Sequence, residues 1–420
     1  MSNGGGKLAF HRRAGERGQT IILVAVSLVT LLAMAALAID VVTLYVARSE
    51  MQRAADAAAL AGAKAFVDSG VTSLATTDPN YATVQGLAQT MATTIINSIV
   101  PQNRIQGTPP VLVGAPAFDF TRPGDPQVSV TLQRADLPTF FSRIWGRTLS
   151  TVTATAVAEA YNPANAAAGY PPIAPKCVKP LLVANQDPKA AGPSPIVDPT
   201  TGVPVAAGVV GETVLLRPCT GACPPVAGAL QFRPALVNPA TANLCPSTCS
   251  PPASDYESSI ECCDAATPPA TQYVCGTPVP VPPVNIDALL IDPPLSNGTN
   301  NGLQCLSNNP AEDTVDPASL LELTAGTGPA RITAGSGPQV GNLVTTSRSI
   351  ATFPIIENLS ATPLHVVGFL QVFVDPVTLS VPTSTPAHIL NVVGCGNSPG
   401  AGPAVLGGGY SPIPVRLIHQ

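Results

Sequence analysis

A membrane-spanning helix that continues as a long Ala-rich helix, a small α+β module, and then a Pro/Gly-rich, mainly-β domain is the layout this sequence predicts. Three observations carry it. One uncharged apolar run stands near the start, helix-forming sequence follows it without a break, and 39 of the 47 prolines fall in residues 161–420. The composition fits: 45% hydrophobic residues in a chain of 420 can bury a core. Few aromatics (4%), 47 Pro and 35 Gly favour strands and turns over surface helices. The net charge is −5, with no basic cluster beyond the first residues. That removes the electrostatic footprint nucleic-acid binding needs.

The anchor comes first. Ile21 to Ile39 (IILVAVSLVTLLAMAALAI) contains no charge and as a helix is about 28 Å long, the thickness of a bilayer's hydrocarbon core. Lys7, Arg12, Arg13 and Arg17 precede it and Asp40 follows. Positive charge therefore keeps residues 1–20 in the cytoplasm and sends everything from about Asp40 outside. A cleaved signal peptide is the alternative, with Ala36-Leu37-Ala38 as its small-x-small site. The apolar run is longer than a signal's hydrophobic region, and helix-favouring sequence crosses the cut, so retention is expected.

Residues 40–67 have abundant Ala and no Pro, which extends the helix to Val67. Glu50 with Arg53, and Arg53 with Asp56, are spaced to pair on its wet face. Asp68-Ser69-Gly70 supplies the stop. Residues 68–160 form the α+β module. Tyr81 to Val100 places Tyr81, Val84, Leu87 or Ala88, Met91, Ile95 and Ile99 at helical spacing, ended by Pro101. Gln127 to Arg134 and Thr148 to Ala158 alternate as two antiparallel strands. Pro138 to Trp145 between them is predicted as one short helix.

From residue 161 onward short β-type runs occur at Val209 to Leu216, Ala229 to Phe232, Val366 to Val374, Ile389 to Val393 and Val415 to Ile418, separated by Pro, Gly and Asn. Asn185 to Pro204 and Pro251 to Pro283 are expected to be irregular.

The N-terminal residues resemble a family. Arg17-Gly18-Gln19 ahead of the apolar span, and IDVVTLYVARSEMQRAADAAALAGAKAF from Ile39 to Phe66, look like bacterial Flp-type (tight-adherence, Tad) pilus-assembly proteins of the TadE/TadG type. Asp40, Tyr45, Met51-Gln52 and AADAAALAGA at Ala54 to Ala63 carry most of the likeness, against the bland reading of an ordinary signal-anchor. Leu137 to Ala160 is similar to the segment that closes the N-terminal module of such proteins. Ser347 to Leu359 and His365 to Asp375 look like the paired strands found late in them. Gln186 to about Leu303 has no counterpart in that pattern.

There are two departures. The fifth residue after Gly18 is Leu23, where pilin-type precursors carry Glu, so prepilin-peptidase processing is not expected. No Asp-x-Ser-x-Ser string occurs, so no metal site of the von Willebrand type is carried over.

The resemblance implies a structural or assembly component of the cell envelope that acts by helix packing, with no enzymatic activity and no cofactor. Its expected partners are the membrane, other pilus-assembly or envelope proteins, and further copies of its own N-terminal helix. Small and paired polar groups near the membrane set close contacts between helices. Asp40, Tyr45, Gln52, Asp56, Ala57, Leu60 and Gly62 are the candidate interaction residues.

The ten cysteines are Cys177, Cys219, Cys223, Cys245, Cys249, Cys262, Cys263, Cys275, Cys305 and Cys395, seven of them in the 57 residues of the insertion 219–275. An even count in an exported region predicts disulfides, which restrict a Pro-rich segment too poor in apolar residues for its own core. A zinc site is the lesser reading. The Cys-x-x-x-Cys spacing is one residue too long and no His lies in that stretch.

His11, His365, His388 and His419 stand outside any metal or catalytic motif, and each is read as a surface or half-buried strand residue. No nucleophile elbow, Walker loop or dinucleotide fingerprint occurs. Gly407-Gly408-Gly409 is read as a turn. The rival function is an exported enzyme or ligand-binding protein on the same anchor, with convergent His, Asp or Glu in the β domain.

Overall fold

The computed structural model describes residues 16–122, 124–139, 141, 146, 149–165, 171–190, 192–205, 208–219, 223–235, 237, 243–246, 249, 251–264, 266, 272–275, 278–279, 297–307, 312–316, 332–361, 364–376, 384–396, 404–406 and 411–418. The expected short helix at Pro138 to Trp145 and the Gly407–Gly409 turn lie largely or wholly outside them.

The long helix forms as its Ala-rich, Pro-free sequence dictates: α1 runs unbroken from Glu16 to Asp68. It stops where expected, at Gly70, whose φ of 77° is a left-handed conformation that glycine adopts without a Cβ penalty. The C-terminal half of α1 is not a free rod. Ala47, Met51, Ala54, Ala55, Ala58, Ala59, Ala63 and Phe66 are buried, against a sheet on one side and the helix α2, Tyr81–Ile99, on the other.

In α2 the buried seam is Val84, Ala88, Ala92 and Ile96, with Tyr81, Met91, Ile95 and Ile99 only partly covered beside it. The small residues lie at the tightest line of approach. The expected stripe is therefore rotated by about one position, because backbone proximity to α1 favours Ala there over the larger side chains.

The sheet under α1 is antiparallel. Its strands are β1 (Val111–Leu112) and β2 (Ala117–Asp119), both on one edge of β3 (Gln127–Pro138), then β4 (Leu149–Ala160). Both long strands of the predicted hairpin are present and longer than their alternation suggested. The far edge is taken by the C-terminal strand, Val415–Ile418, paired antiparallel with β4 in the register Val415↔Ala160 to Ile418↔Val157. The chain thus returns from its last residues to complete the first module.

Between these ends lies a closed barrel. Its strands are β5 (Leu181–Ala184), β6 (Thr213–Pro218), β7 (Ala229–Pro234), β8 (Ile350–Ile356), β9 (Leu364–Val374) and β10 (Thr385–Gly394). Around it, β9 pairs with β8, β8 with β5, β5 with β7, β7 with β6, β6 with β10, and β10 again with β9. The pairs β8–β5 and β7–β6 are parallel and the other four antiparallel. Closure leaves no free edge in the ring, and six strands enclose only side chains. The β8 strand is buried on both faces and β9 nearly so. This accounts for continuous apolar runs where alternation would mark a half-exposed strand.

One helix in the Cys-rich stretch departs from the expected irregularity. In α3, Asp255–Glu261, Ser254 caps the N-terminus by accepting from the Glu257 backbone N–H at 3.1 Å. Glu257 in turn accepts from Ala253 at 3.2 Å. Ser-x-x-Glu is the capping-box signal, present in the sequence at Ser254 to Glu257. It packs on α4, Asn297–Leu306.

All ten cysteines pair: Cys177–Cys263, Cys219–Cys223, Cys245–Cys262, Cys249–Cys305 and Cys275–Cys395. The disulfide reading stands. Three of the bridges reach beyond the insertion, to Cys177 before β5, Cys305 in α4 and Cys395 after β10.

Candidate functional site

The seven candidate interaction residues divide between two faces of α1. Tyr45, Gln52 and Asp56 follow one another at seven and four residues and so share a side of the helix. Tyr45 is 74% exposed, Gln52 is exposed and Asp56 half-exposed, with Arg48, Ser49 and Arg53 exposed beside them. Ala57 and Leu60 are half-buried at the margin. Gln52 donates to the Asp56 carboxylate at 2.8 Å and to the Thr155 carbonyl of β4 at 3.3 Å. The stripe is thus held in a fixed orientation beside the sheet.

Asp40 and Gly62 lie on the inner face. A Cβ at Gly62 would stand 2.8 Å from Ile96 Cδ1 and 3.3 Å from Val128 Cγ1, so this glycine serves the approach of α2 and β3 to α1 within the chain. Asp40, only 3% exposed, accepts the backbone N–H of Phe141 at 3.1 and 3.3 Å. Glu50, expected to pair with Arg53, instead accepts from the Gln106 backbone at 2.8 Å, while the Gln106 side chain donates to the Thr43 carbonyl at 3.0 Å. The module therefore grips α1 from Asp40 onward. Before that point most of the helix is exposed, Ala36 being buried and Ala33 half-buried: Ile21, Ile22, Leu23, Leu28, Leu31 and Leu32 are 58–69% exposed.

A polar joint that no local motif announces connects module and barrel. The turn Val71–Ser73 is wholly buried. The Ser73 hydroxyl accepts from Val392 N–H of β10 at 3.0 Å and bonds the Asn391 amide at 3.1 Å, which in turn reaches Gln371 at 2.7 Å. Asn162, fully buried, donates to the carbonyls of Thr72 at 2.8 Å and Val392 at 3.3 Å. Its own N–H goes to Asp125 at 3.0 Å. Burial, followed by the nearby Glu159 charge, pushes the Asp125 carboxyl up to about 7.

On the C-terminal strand, Arg416 pairs with the buried Glu159 at 2.6 Å and lies over the Tyr161 ring at 4.3 Å. At the opposite side of the barrel Lys179 is buried and donates to the Cys262 carbonyl at 2.8 Å. Desolvation lowers its amine to about 7.

His388 is the histidine the barrel absorbs. Its Nδ1 lies 3.0 Å from Thr213 Oγ1 and its Nε2 3.0 Å from Asp375, so the ring ties β10 to β6 and to the end of β9. His365 is exposed, while His11 and His419 lie outside the described residues. Among the described residues no group of three or more His, Cys, Asp or Glu is arranged to hold a metal.

Against known proteins, residues 18–65 match the Tad family of Flp pilus-assembly proteins, TadE/G-like. No curated protein and no solved structure matches the chain.

Proposed function

We propose that this protein is a membrane-anchored structural component of a Flp-type pilus assembly or a related envelope complex, and that it acts through contacts of α1 rather than by catalysis. One observation carries the reading. The family match falls on α1, and within it the stretch before Asp40 is apolar and largely exposed while the stretch after it presents a polar stripe. Exposed apolar length of this kind suits a bilayer, and the stripe at Tyr45, Gln52 and Asp56 suits a neighbouring protein just outside it. Residues 1–20 then lie in the cytoplasm, with the module and barrel on the other side of the membrane.

The disulfides agree with an oxidising compartment. The rival, an anchored enzyme, has one arrangement to offer in Thr213, His388 and Asp375. That imidazole is 4% exposed with both ring nitrogens engaged between strands, which suits a structural tie better than a base awaiting substrate.

The test exchanges exposed residues only. Tyr45→Ala with Gln52→Ala is expected to leave the melting temperature within about 2 °C of the parent. Co-purification with pilus-assembly proteins should fall at least roughly tenfold, the loss expected from about 1.4 kcal/mol at a contact that matters. Undiminished co-purification would reduce α1 to a tether.

A further inference from the structure

Lys-Cys-Val-Lys at residues 176–179 leads into β5, and Glu-Cys-Cys at residues 261–263 ends α3. The bridge Cys177–Cys263 joins the two segments, and Cys245–Cys262 meets it at the adjacent residue. The bridges differ in cover. Cys219–Cys223 and Cys275–Cys395 are buried at both ends, whereas Cys177–Cys263 and Cys249–Cys305 are half-buried at both. Disulfide exchange needs a thiolate to reach a sulfur, so cover alone puts the last two on an equal footing.

An amine separates them. Lys179, 1% exposed, places Nζ 3.6 Å from Cys177 Sγ and donates to the Cys262 carbonyl at 2.8 Å. The buried Glu261 supplies the negative charge that faces it. Stripped of water, the Lys179 amine is lowered to about 7. Its ammonium form is then a stronger acid than an ordinary thiol, which titrates at about 8.5. A thiolate that appears on Cys177 therefore meets a proton donor already in place. Cys177 also holds φ at 61°, the left-handed region that a residue with a Cβ enters at a cost, and an open bridge lets it relax.

We propose that Cys177–Cys263 is a thiol-exchange site, opened by a dithiol in preference to the other four bridges, with Lys179 as the proton donor to the departing Cys177 sulfur. The attacking thiolate bonds to Cys263 Sγ and the Cys177–Cys263 bond breaks. Its electron pair goes to Cys177 Sγ, which takes a proton from Lys179. The second thiolate of the dithiol then displaces Cys263 Sγ. The dithiol leaves oxidised to a disulfide, and its two hydrogens end on Cys177 and Cys263 by way of Lys179 and solvent. Opening unties the end of α3 from the chain entering β5, while Cys275–Cys395 still holds the insertion to the end of β10. The inference does not depend on α1 spanning a membrane.

The full chain in detergent micelles, folded and unreduced, is exposed to dithiothreitol or to reduced thioredoxin for graded times, quenched with acid, alkylated and mapped by peptide mass spectrometry. Cys177 and Cys263 are expected to be alkylated ahead of Cys249 and Cys305 by at least one of the two reagents. Success with thioredoxin assigns the site to protein dithiols as well, and success with dithiothreitol alone to small ones. Alkylation of Cys249 and Cys305 first, of all ten cysteines at one rate, or of none would overturn the proposal. With 2-mercaptoethanol instead, the mixed disulfide is expected on Cys263, because Cys177 is the sulfur that departs. An adduct on Cys177 would overturn the role of Lys179. Lys179→Met should slow the opening of Cys177–Cys263 at least roughly tenfold, since a more basic leaving thiol departs more slowly, and leave Cys249–Cys305 as it was. Equal rates in variant and parent would reduce Lys179 to a structural contact. The order of opening and the position of the adduct are read in the unmodified chain, so they decide the matter even if Lys179→Met does not fold.

Discussion

At the scale of single residues, the joint between module and barrel concentrates the polar chemistry. Asp125 sits where burial and the negative Glu159 hold its carboxyl near 7 rather than its ordinary 3.8. The folded state therefore binds this proton more tightly than the unfolded state. The stabilisation is complete below about 3.8 and is lost as the pH climbs through about 7. Asp125→Asn keeps an oxygen to accept from Asn162 and does not titrate. Its melting temperature minus that of the parent should rise by a few degrees between about pH 4 and pH 8. A difference that stays flat would place the Asp125 carboxylate in a solvated site instead. None of this was legible in sequence: Asp125 stands in a Pro/Gly turn, Arg416 lies 257 positions from its partner Glu159, and Asn162 and Ser73 belong to no motif.

At the scale of elements, α1 was the most readable part of the chain. Its apolar run, its Ala-rich continuation and its glycine stop are local signals, and the helix spans Glu16–Asp68 as those signals require. Which side of it faces inward was not readable, because an Ala-rich helix has little contrast between its sides. Gly62 shows the consequence. It was a candidate for contacts between proteins, yet Ile96 and Val128 already fill the space over it. Gly62→Ala gains helix propensity of about 1 kcal/mol but pushes on Ile96, and overpacking of this kind costs about 1–3 kcal/mol. The variant should be less stable in urea unfolding, and Ile96→Val beside it should restore most of the loss. A stabilised Gly62→Ala would mean that α2 is free to shift. The α3 helix was missed although its Ser254-x-x-Glu257 box was present, because the surrounding Pro and Cys suggested an irregular segment.

At the scale of the whole molecule, strands far apart in the chain share one sheet, residues 111–160 with Val415–Ile418. The strand Val415–Ile418 leaves the barrel and closes the module's edge beside β4, so the barrel is attached to the module on both sides. Arg416 fastens that strand. Removing it leaves the buried Glu159 beside Asp125 without its ion-pair partner, with only a 3.4 Å hydrogen bond from the Gln127 side chain, and Arg416→Ala is expected to lower the unfolding free energy by about 2–3 kcal/mol. Adding Glu159→Gln should recover roughly half of that, since a neutral amide has less need of a partner. Strict additivity in this double-mutant cycle would show that the pair does not couple.

By itself the sequence determined the elements whose signals are local: the apolar span and its helical continuation, the alternating hairpin of β3 and β4, the apolar run of β9, and a set of cysteines fit for disulfides. Periodicity and composition act over a few turns or a few residues, and those elements obey them. Only the tertiary structure decided that six strands close into a barrel through the β9–β10 pairing, which cysteines join, which face of α1 is covered, and where the last strand goes. Those outcomes depend on groups brought together over hundreds of positions, where the free energy of burying one shared core, continuous from Ala47 to Ile413, selects among pairings that local sequence leaves equivalent.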